Sequence, residues 1–383
     1  MDLLSVRKNF LGLICLGITA VFFLAGLWPF NFSPENKVRW LQNQNGVQFY
    51  GQSMIYSTIP FFHYSYLLCL LPPTFNFEPL PCFSFPYPLH PFSIELWLQP
   101  TTESSSHIGH IFSFFDDKKS ETFFVGQWRS HLILGKGIHG KKTYREIGIR
   151  DVLKKDDKRF VTITSGTDGT NIYVDGILLK SNPRFHLFSM NEKPSGKIVL
   201  GNSPTGGEYW TGNLLSLAIY DRVLTGKEVS KHFPQHFHGP KKSGEEGLVA
   251  LYLFNEHSGT LAHDSVGDHH LLIPPKFMVL KKTILVPPWE DFRFTRSYLM
   301  DVLTNILGFI PFGFFLSAYL RLRRPRSNFR LLLISIIIAG CLSLSIELIQ
   351  GYLPTRSSQL TDVITNILGA ALGVTLFLKN RKS

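Results

Sequence analysis

Seven polar side chains stand out because of the sequence around them. Asp301 and Asn305, and again Asp362 and Asn366, are four residues apart in apolar runs; Glu347 and Gln350 are three apart in another, and Arg356 follows. Separations of three and four put side chains on one face of a helix. An ionisable group within a membrane span costs about 3 kcal/mol at its centre and less near an end, so each carboxylate needs a compensating role. Two roles fit. Glu347 could act as a general acid–base group helped by Asp301 or Asp362. Alternatively, Asp301 and Asp362 cap helix N-termini, where the dipole favours negative charge, and the Asn side chains bond between helices.

The elements that must position these groups are four apolar runs, Phe10–Phe30, Tyr298–Leu320, Leu331–Ile349 and Val363–Leu378, each close to the ~20 residues that cross a bilayer. The first exceeds the apolar region of a cleaved leader and has no small-x-small site before its WPFNF segment, so it is expected to remain as a span. Ile59–Leu71 is too short and is broken by Pro60, Pro72 and Pro73. Basic residues flank the runs at Arg7 and Lys8, at Arg321, Arg323, Arg324 and Arg326, and at Lys379, Arg381 and Lys382. By the positive-inside rule these flanks, and both termini, are cytoplasmic, which puts the long intervening region outside.

An octapeptide repeats in the last third, DVLTNILG at Asp301–Gly308 and DVITNILG at Asp362–Gly369, and both copies run inward on this topology. Gly308 and Gly369 continue the polar stripes, Gly373 extends the second, and Gly340, Ser343, Glu347 and Gln350 form a stripe on the middle helix. Small residues let membrane helices approach closely enough for polar groups to meet. The stripes predict one cluster of Asp301, Asn305, Glu347, Gln350, Asp362 and Asn366 near the outer surface, with Arg356 the nearest cation to pair with it.

The outer region reads as short alternating strands. FSIELWLQP (Phe92–Pro100) puts Phe92, Ile94, Leu96 and Leu98 on one face, and FVTITSGTDGTNIYVDGILL (Phe160–Leu179) reads as strands joined by turns at Asp168-Gly169 and Asp175-Gly176. Gly196–Phe233 adds strands and a short helix beginning near Thr225. Trp97, Trp128 and Trp210 are read as core residues rather than sugar platforms. His232, His236 and His238 surround Pro234 with no cysteine beside them and are read as an exposed loop. A Cys69–Cys82 disulfide is chemically permitted outside the cell, whereas Cys15 and Cys341 sit in apolar runs as inert small residues. The net charge of +11 lies partly in the membrane flanks, so nucleic acid is not the expected partner.

The outer segments resemble the laminin-G-like, concanavalin-A-like jelly roll over Phe92–Phe233: an opening FSIELWLQP, a YVDG hairpin, and a closing W-x-G-x-L with A-x-Y-D-R-x-L-T-x-x-E-V at Trp210–Val229. Glu246–His270 looks like a further strand pair, in a permuted or extended order. Some such domains bind calcium, for which Asp168, Asp175 and Asp264 are candidates by type only; Asp in a DG turn normally serves turn geometry. A second resemblance is to the VanZ family. It rests on D-x-x-x-N-x-x-G-F-I-P-F-G at Asp301–Gly313, S-x-x-I-E-x-x-Q at Ser343–Gln350, R-S-x-x-x-x-D-x-x-x-N-x-x-G at Arg356–Gly369, and WPFNFSPENKV after the first run.

Together these imply a multi-domain membrane protein: an all-α transmembrane bundle of about four helices plus an all-β jelly-roll sandwich ectodomain. The expected division is residues 1–37 for the tip, first span and juxtamembrane segment, 38–288 for the sandwich, and 289–383 for the three-helix domain and tail. The expected function is that of a multi-pass protein of the plasma or inner membrane displaying a domain that binds surface glycan or another envelope component, without a resident cofactor. The alternative is a membrane enzyme acting on a lipid-linked envelope precursor through Glu347, Asp301 or Asp362. Fold alone does not decide between them.

Overall fold

The computed structural model describes the chain apart from residues 1–2, 62–90, 104–106, 117–119, 138–143, 189–194, 237–244, 293, 325–326 and 381–383. The Cys69–Cys82 pair and His238 lie outside the described residues. Two compact units emerge, one of Met1–Ser33 with Lys282–Ser383 and one of Pro34–Lys281.

In chain order the elements begin with helix α1 (Leu3–Leu27) and three short strands, β1 (Val38–Trp40), β2 (Val47–Phe49) and β3 (Ile55–Ser57). Longer strands follow: β4 (Phe92–Pro100), β5 (Gly109–Asp116), β6 (Ser120–Trp128), β7 (His131–Gly137), β8 (Tyr144–Ile149), β9 (Arg159–Gly166), β10 (Gly169–Val174) and β11 (Ile177–Asn182). After β12 (Lys197–Leu200) and β13 (Gly212–Tyr220) come helix α2 (Gly226–His236) and strands β14 (Leu248–Tyr252), β15 (Leu261–Ala262) and β16 (Leu271–Leu272). Helices α3 (Pro288–Asp291), α4 (Arg296–Arg323), α5 (Asn328–Gln350) and α6 (Leu360–Lys379) complete it.

Among the described residues the sandwich consists of two eight-stranded sheets, one ordered β1-β2-β13-β4-β9-β10-β11 with β14 also on β13, the other β15-β16-β3-β12-β5-β6-β7-β8. Alternation explains its core. Phe92, Ile94, Leu96 and Leu98 of β4 pack with Phe112, Phe114, Phe123 and Leu200 between the sheets. The opposite face of β4 is buried as well, because α2 covers it: Trp97 lies against Phe160 and Phe233. The segment after α2 extends the sandwich, β14 joining the first sheet and β15–β16 the second. Asp175 and Gly176 both take positive φ in the two-residue hairpin between β10 and β11. The preceding hairpin centres on Thr167 and Asp168, one residue earlier than expected, because Gly166 pairs with Gly169.

Among the described residues four helices are long and apolar enough to cross a bilayer: Val6–Leu27, Arg296–Arg323, Asn328–Gln350 and Leu360–Lys379. α4 and α5 run antiparallel, as do α5 and α6, so α4 and α6 are parallel. Their interface is the most extensive of the membrane unit. It is close because glycine permits it: a methyl on Gly369, Gly373 or Gly313 would collide with the carbonyl oxygen of Ile306, Ile310 or Ala370 respectively.

Candidate functional site

The polar stripes of α4, α5 and α6 meet at the α5–α6 connection. Asn305 Nδ2 donates to Asp362 Oδ1 at 2.8 Å, joining α4 to the first turn of α6. Glu347, only 3% exposed, accepts the Gln359 N–H at 2.7 Å through Oε2. The carboxylate therefore ties the last turn of α5 to the residue that caps α6, where the N-terminal N–H groups would otherwise lack acceptors. Asn366 Nδ2 donates to Ser343 Oγ at 2.9 Å, joining α6 to α5 one turn further along. The segment before α3 completes the knot: Val286 N–H donates to the Ser358 carbonyl and Leu360 N–H to the Val286 carbonyl, each at 2.9 Å. Leu285 N–H donates to the Ser358 hydroxyl at 3.1 Å.

Of the seven residues singled out by sequence, this junction contains Asn305, Glu347, Asp362 and Asn366. Gln350 turns the other way and donates to the Gly26 carbonyl of α1 at 2.7 Å. Arg356 is exposed and donates to the Trp28 carbonyl at 2.8 Å rather than to a carboxylate among the described residues. Asp301 is exposed on α4.

The expected N-caps are also different. Thr295 caps α4 by accepting from Tyr298 N–H, which puts Asp301 in the second turn, and Gln359 occupies the N-cap of α6 with Asp362 three residues later. The two copies of the octapeptide are thus used unequally: Gly369 packs on α4, whereas a Cβ on Gly308 would meet nothing within 4 Å. Sequence reasoning passed over Ser358, whose hydroxyl and carbonyl anchor the entering segment. Its place in the R-S-S-Q stretch was the one available signal. Asn366 Oδ1 and Thr361 Oγ1 are buried without hydrogen-bond partners among the described residues.

In the sandwich, His232 is not in an exposed loop. It is 8% exposed on α2, with Nδ1 2.9 Å from Glu95 Oε1 and Nε2 2.7 Å from Glu245 Oε1. The Tyr220 hydroxyl lies 3.2 Å from both carboxylates. Burial lowers the His232 pKa, but its bond to Glu95 and the charges of Glu95, Glu245 and Glu228 outweigh that and raise it. Nothing local in the sequence announces this pairing, which spans 137 positions.

The calcium candidates are spread over separate turns. Asp168 is exposed, Asp175 is taken by Arg159 at 2.7 Å and the Phe160 N–H at 3.0 Å, and Asp264 accepts from the N–H groups of Leu251 and Val266. Among the described residues no group of three or more His, Cys, Asp or Glu side chains could hold a metal ion. Trp97 and Trp210 are core residues, but Trp128, at the β6–β7 hairpin, is 39% exposed. Arg129 lies over its ring at 5.0 Å; His131 packs edge-on, and Ser130 donates to Asp151 at 2.7 Å.

A VanZ/LLP1 family model matches residues 248–380, and a model of the concanavalin A-like lectin/glucanases superfamily matches residues 79–230. The chain joins a VanZ-like domain to a concanavalin-A-like domain. The VanZ match takes in β14–β16 as well as α3–α6 and leaves α1 outside. With four helices among the described residues fit to span a bilayer and a VanZ-like domain, this chain is a membrane protein.

No curated protein matches it. Among solved structures, the binding domain of botulinum neurotoxin DC in complex with rat synaptotagmin II is similar at 16% identity and TM-score 0.31, over 38% of this chain and 36% of that one. The Ruminococcus gnavus IT-sialidase CBM40 bound to alpha2,3 sialyllactose is similar at 12% identity and TM-score 0.32, over 38% and 82%. The chain thus spans about a third of the neurotoxin chain it matches.

Proposed function

We propose that this is a multi-pass envelope protein with cytoplasmic termini, whose VanZ-like bundle holds the concanavalin-A-like domain outside the membrane to bind surface glycan or another envelope component. The observation that carries the binding role is the exposed Trp128. An aromatic face beside Ser130, His131 and Asp151 combines a stacking surface with hydroxyl, imidazole and carboxylate groups suited to sugar hydroxyls. The membrane carboxylates support display rather than catalysis, because Glu347 is buried and bonded to backbone, where it fastens α6 to α5.

The test is binding of detergent-solubilised full-length protein to envelope polysaccharides on an array. Trp128→Ala is expected to weaken binding about tenfold or more, as loss of a central aromatic anchor does, with the melting temperature unchanged. Full retention of binding by the variant removes the proposed site; absence of binding by the wild type removes the glycan role.

A further inference from the structure

A groove in the membrane unit has a chemistry that display of the sandwich does not use. It lies between the N-terminal half of α1 and the last turns of α4, has a volume of about 570 Å³, and is lined by Lys8, Asn9, Gly12, Tyr319 and Arg323. Leu13 and Leu16 continue its wall along α1 and are themselves exposed. Gly12 lets α1 close on the tyrosine, since a Cβ there would stand 3.2 Å from Tyr319 Cε2. The Arg323 guanidinium lies 5.2 Å from the centroid of the Tyr319 ring, an arrangement that orients the cation.

The charge of this groove is unbalanced within the chain. Asp2 excepted, the stretches that build this end of the unit carry no acid: none from Leu3 to Pro34, none from Val302 to Ile346, and none after Asp362. The lining of the groove itself holds two cations and no carboxylate, which leaves Lys8 and Arg323 open to an anion from outside the chain. A small soluble anion would satisfy the two cations and leave the leucine wall bare. A lipid with an anionic headgroup uses both, and two cations at one end of paired spanning helices lie where such headgroups are found.

We propose that this groove binds an anionic phospholipid, with the phosphate between Lys8 and Arg323, the headgroup polar atoms near Asn9 and the Tyr319 hydroxyl, and an acyl chain along Leu13 and Leu16. The test is native mass spectrometry of full-length protein released from nanodiscs of equimolar phosphatidylcholine and phosphatidylglycerol. Wild type is expected to retain phosphatidylglycerol preferentially. Lys8→Gln and Arg323→Gln each reduce that retention about fivefold, the effect of one cation near an anionic headgroup.

Arg330→Gln combined with Lys379→Gln removes two charges outside the groove and is expected to leave retention intact. Equal loss in that control, or no preference in wild type, overturns the proposal. So does displacement by excess soluble glycerol phosphate, which would assign the groove to a free anion. The single variants keep one cation each, and their melting curves, expected to match wild type, separate lost binding from lost folding.

Discussion

Glu347 has the two properties that make a membrane carboxylate look catalytic, burial and isolation in an apolar helix, yet its Oε2 accepts the Gln359 N–H at the start of α6. An amide oxygen can accept the same bond, so Glu347→Gln is expected to accumulate and melt like wild type. Glu347→Leu leaves a buried donor unpaired and is expected to lose about 1–3 kcal/mol, read as a lower midpoint of thermal unfolding in detergent. A Gln variant that folds normally but loses the cellular phenotype would instead favour the enzymatic alternative. His232 makes a pH-dependent prediction. It faces Glu95, Glu245, Glu228 and Tyr220, and its folded pKa is raised above the unfolded value of about 6.5. A raised histidine contributes stability that is complete below the unfolded pKa and lost as pH rises through the folded one. The sandwich is therefore expected to weaken with rising pH above about 6.5, and His232→Ala to abolish that slope. Tryptophan fluorescence reports it, since Trp97 packs on Phe233 of the same helix.

At the level of elements, α4 and α6 carry nearly the same octapeptide but different environments. Gly369 sits against the Ile306 backbone and Gly373 against Ile310, while Gly308 faces open space. Gly369→Ala and Gly373→Ala are expected to cost about 1–3 kcal/mol through forced separation of the helices. Gly308→Ala is expected to be neutral or to stabilise by up to about 1 kcal/mol through helix propensity. Differential scanning fluorimetry of the three variants checks this, and equal effects would mean that the two copies pack alike. This inequality also marks where the sequence was legible. Spacing of three and four identified the polar faces of α4–α6, and alternation identified β4, β9, β10 and β13, because each pattern repeats within one element. Which neighbour a face meets depends on the rotation of whole helices, so Asp301 and Arg356 could not be separated from Asp362 and Glu347 in advance. Strands β1–β3 have three residues each, too few for a period to appear. The His232 bonds to Glu95 and Glu245 and the Ser358 anchor join residues distant in sequence or backbone atoms that no side-chain pattern reports.

For the molecule as a whole, the two units make different demands on their surroundings. The membrane unit exposes apolar residues along α1, among them Phe10, Leu13, Leu16, Val21 and Leu24, as a helix facing lipid should. The sandwich buries its Phe-rich core between its two sheets. The link between them is orientation. Lys8, Arg323 and Lys379 belong to helix ends that the alternating directions of α1, α4, α5 and α6 bring to one side, the side that the proposed topology puts in the cytoplasm by the positive-inside rule. In a variant lacking the four native cysteines, a cysteine at exposed Ser181 of β11 is expected to react with a membrane-impermeant maleimide on intact cells. A cysteine at exposed Asn380, just beyond α6, is expected to react only after permeabilisation. The reverse pattern would put the sandwich in the cytoplasm and remove surface glycan from its reach. Labelling of both sites on intact cells would require an even number of crossings between them, leaving one of the three apolar helices α4–α6 outside the bilayer.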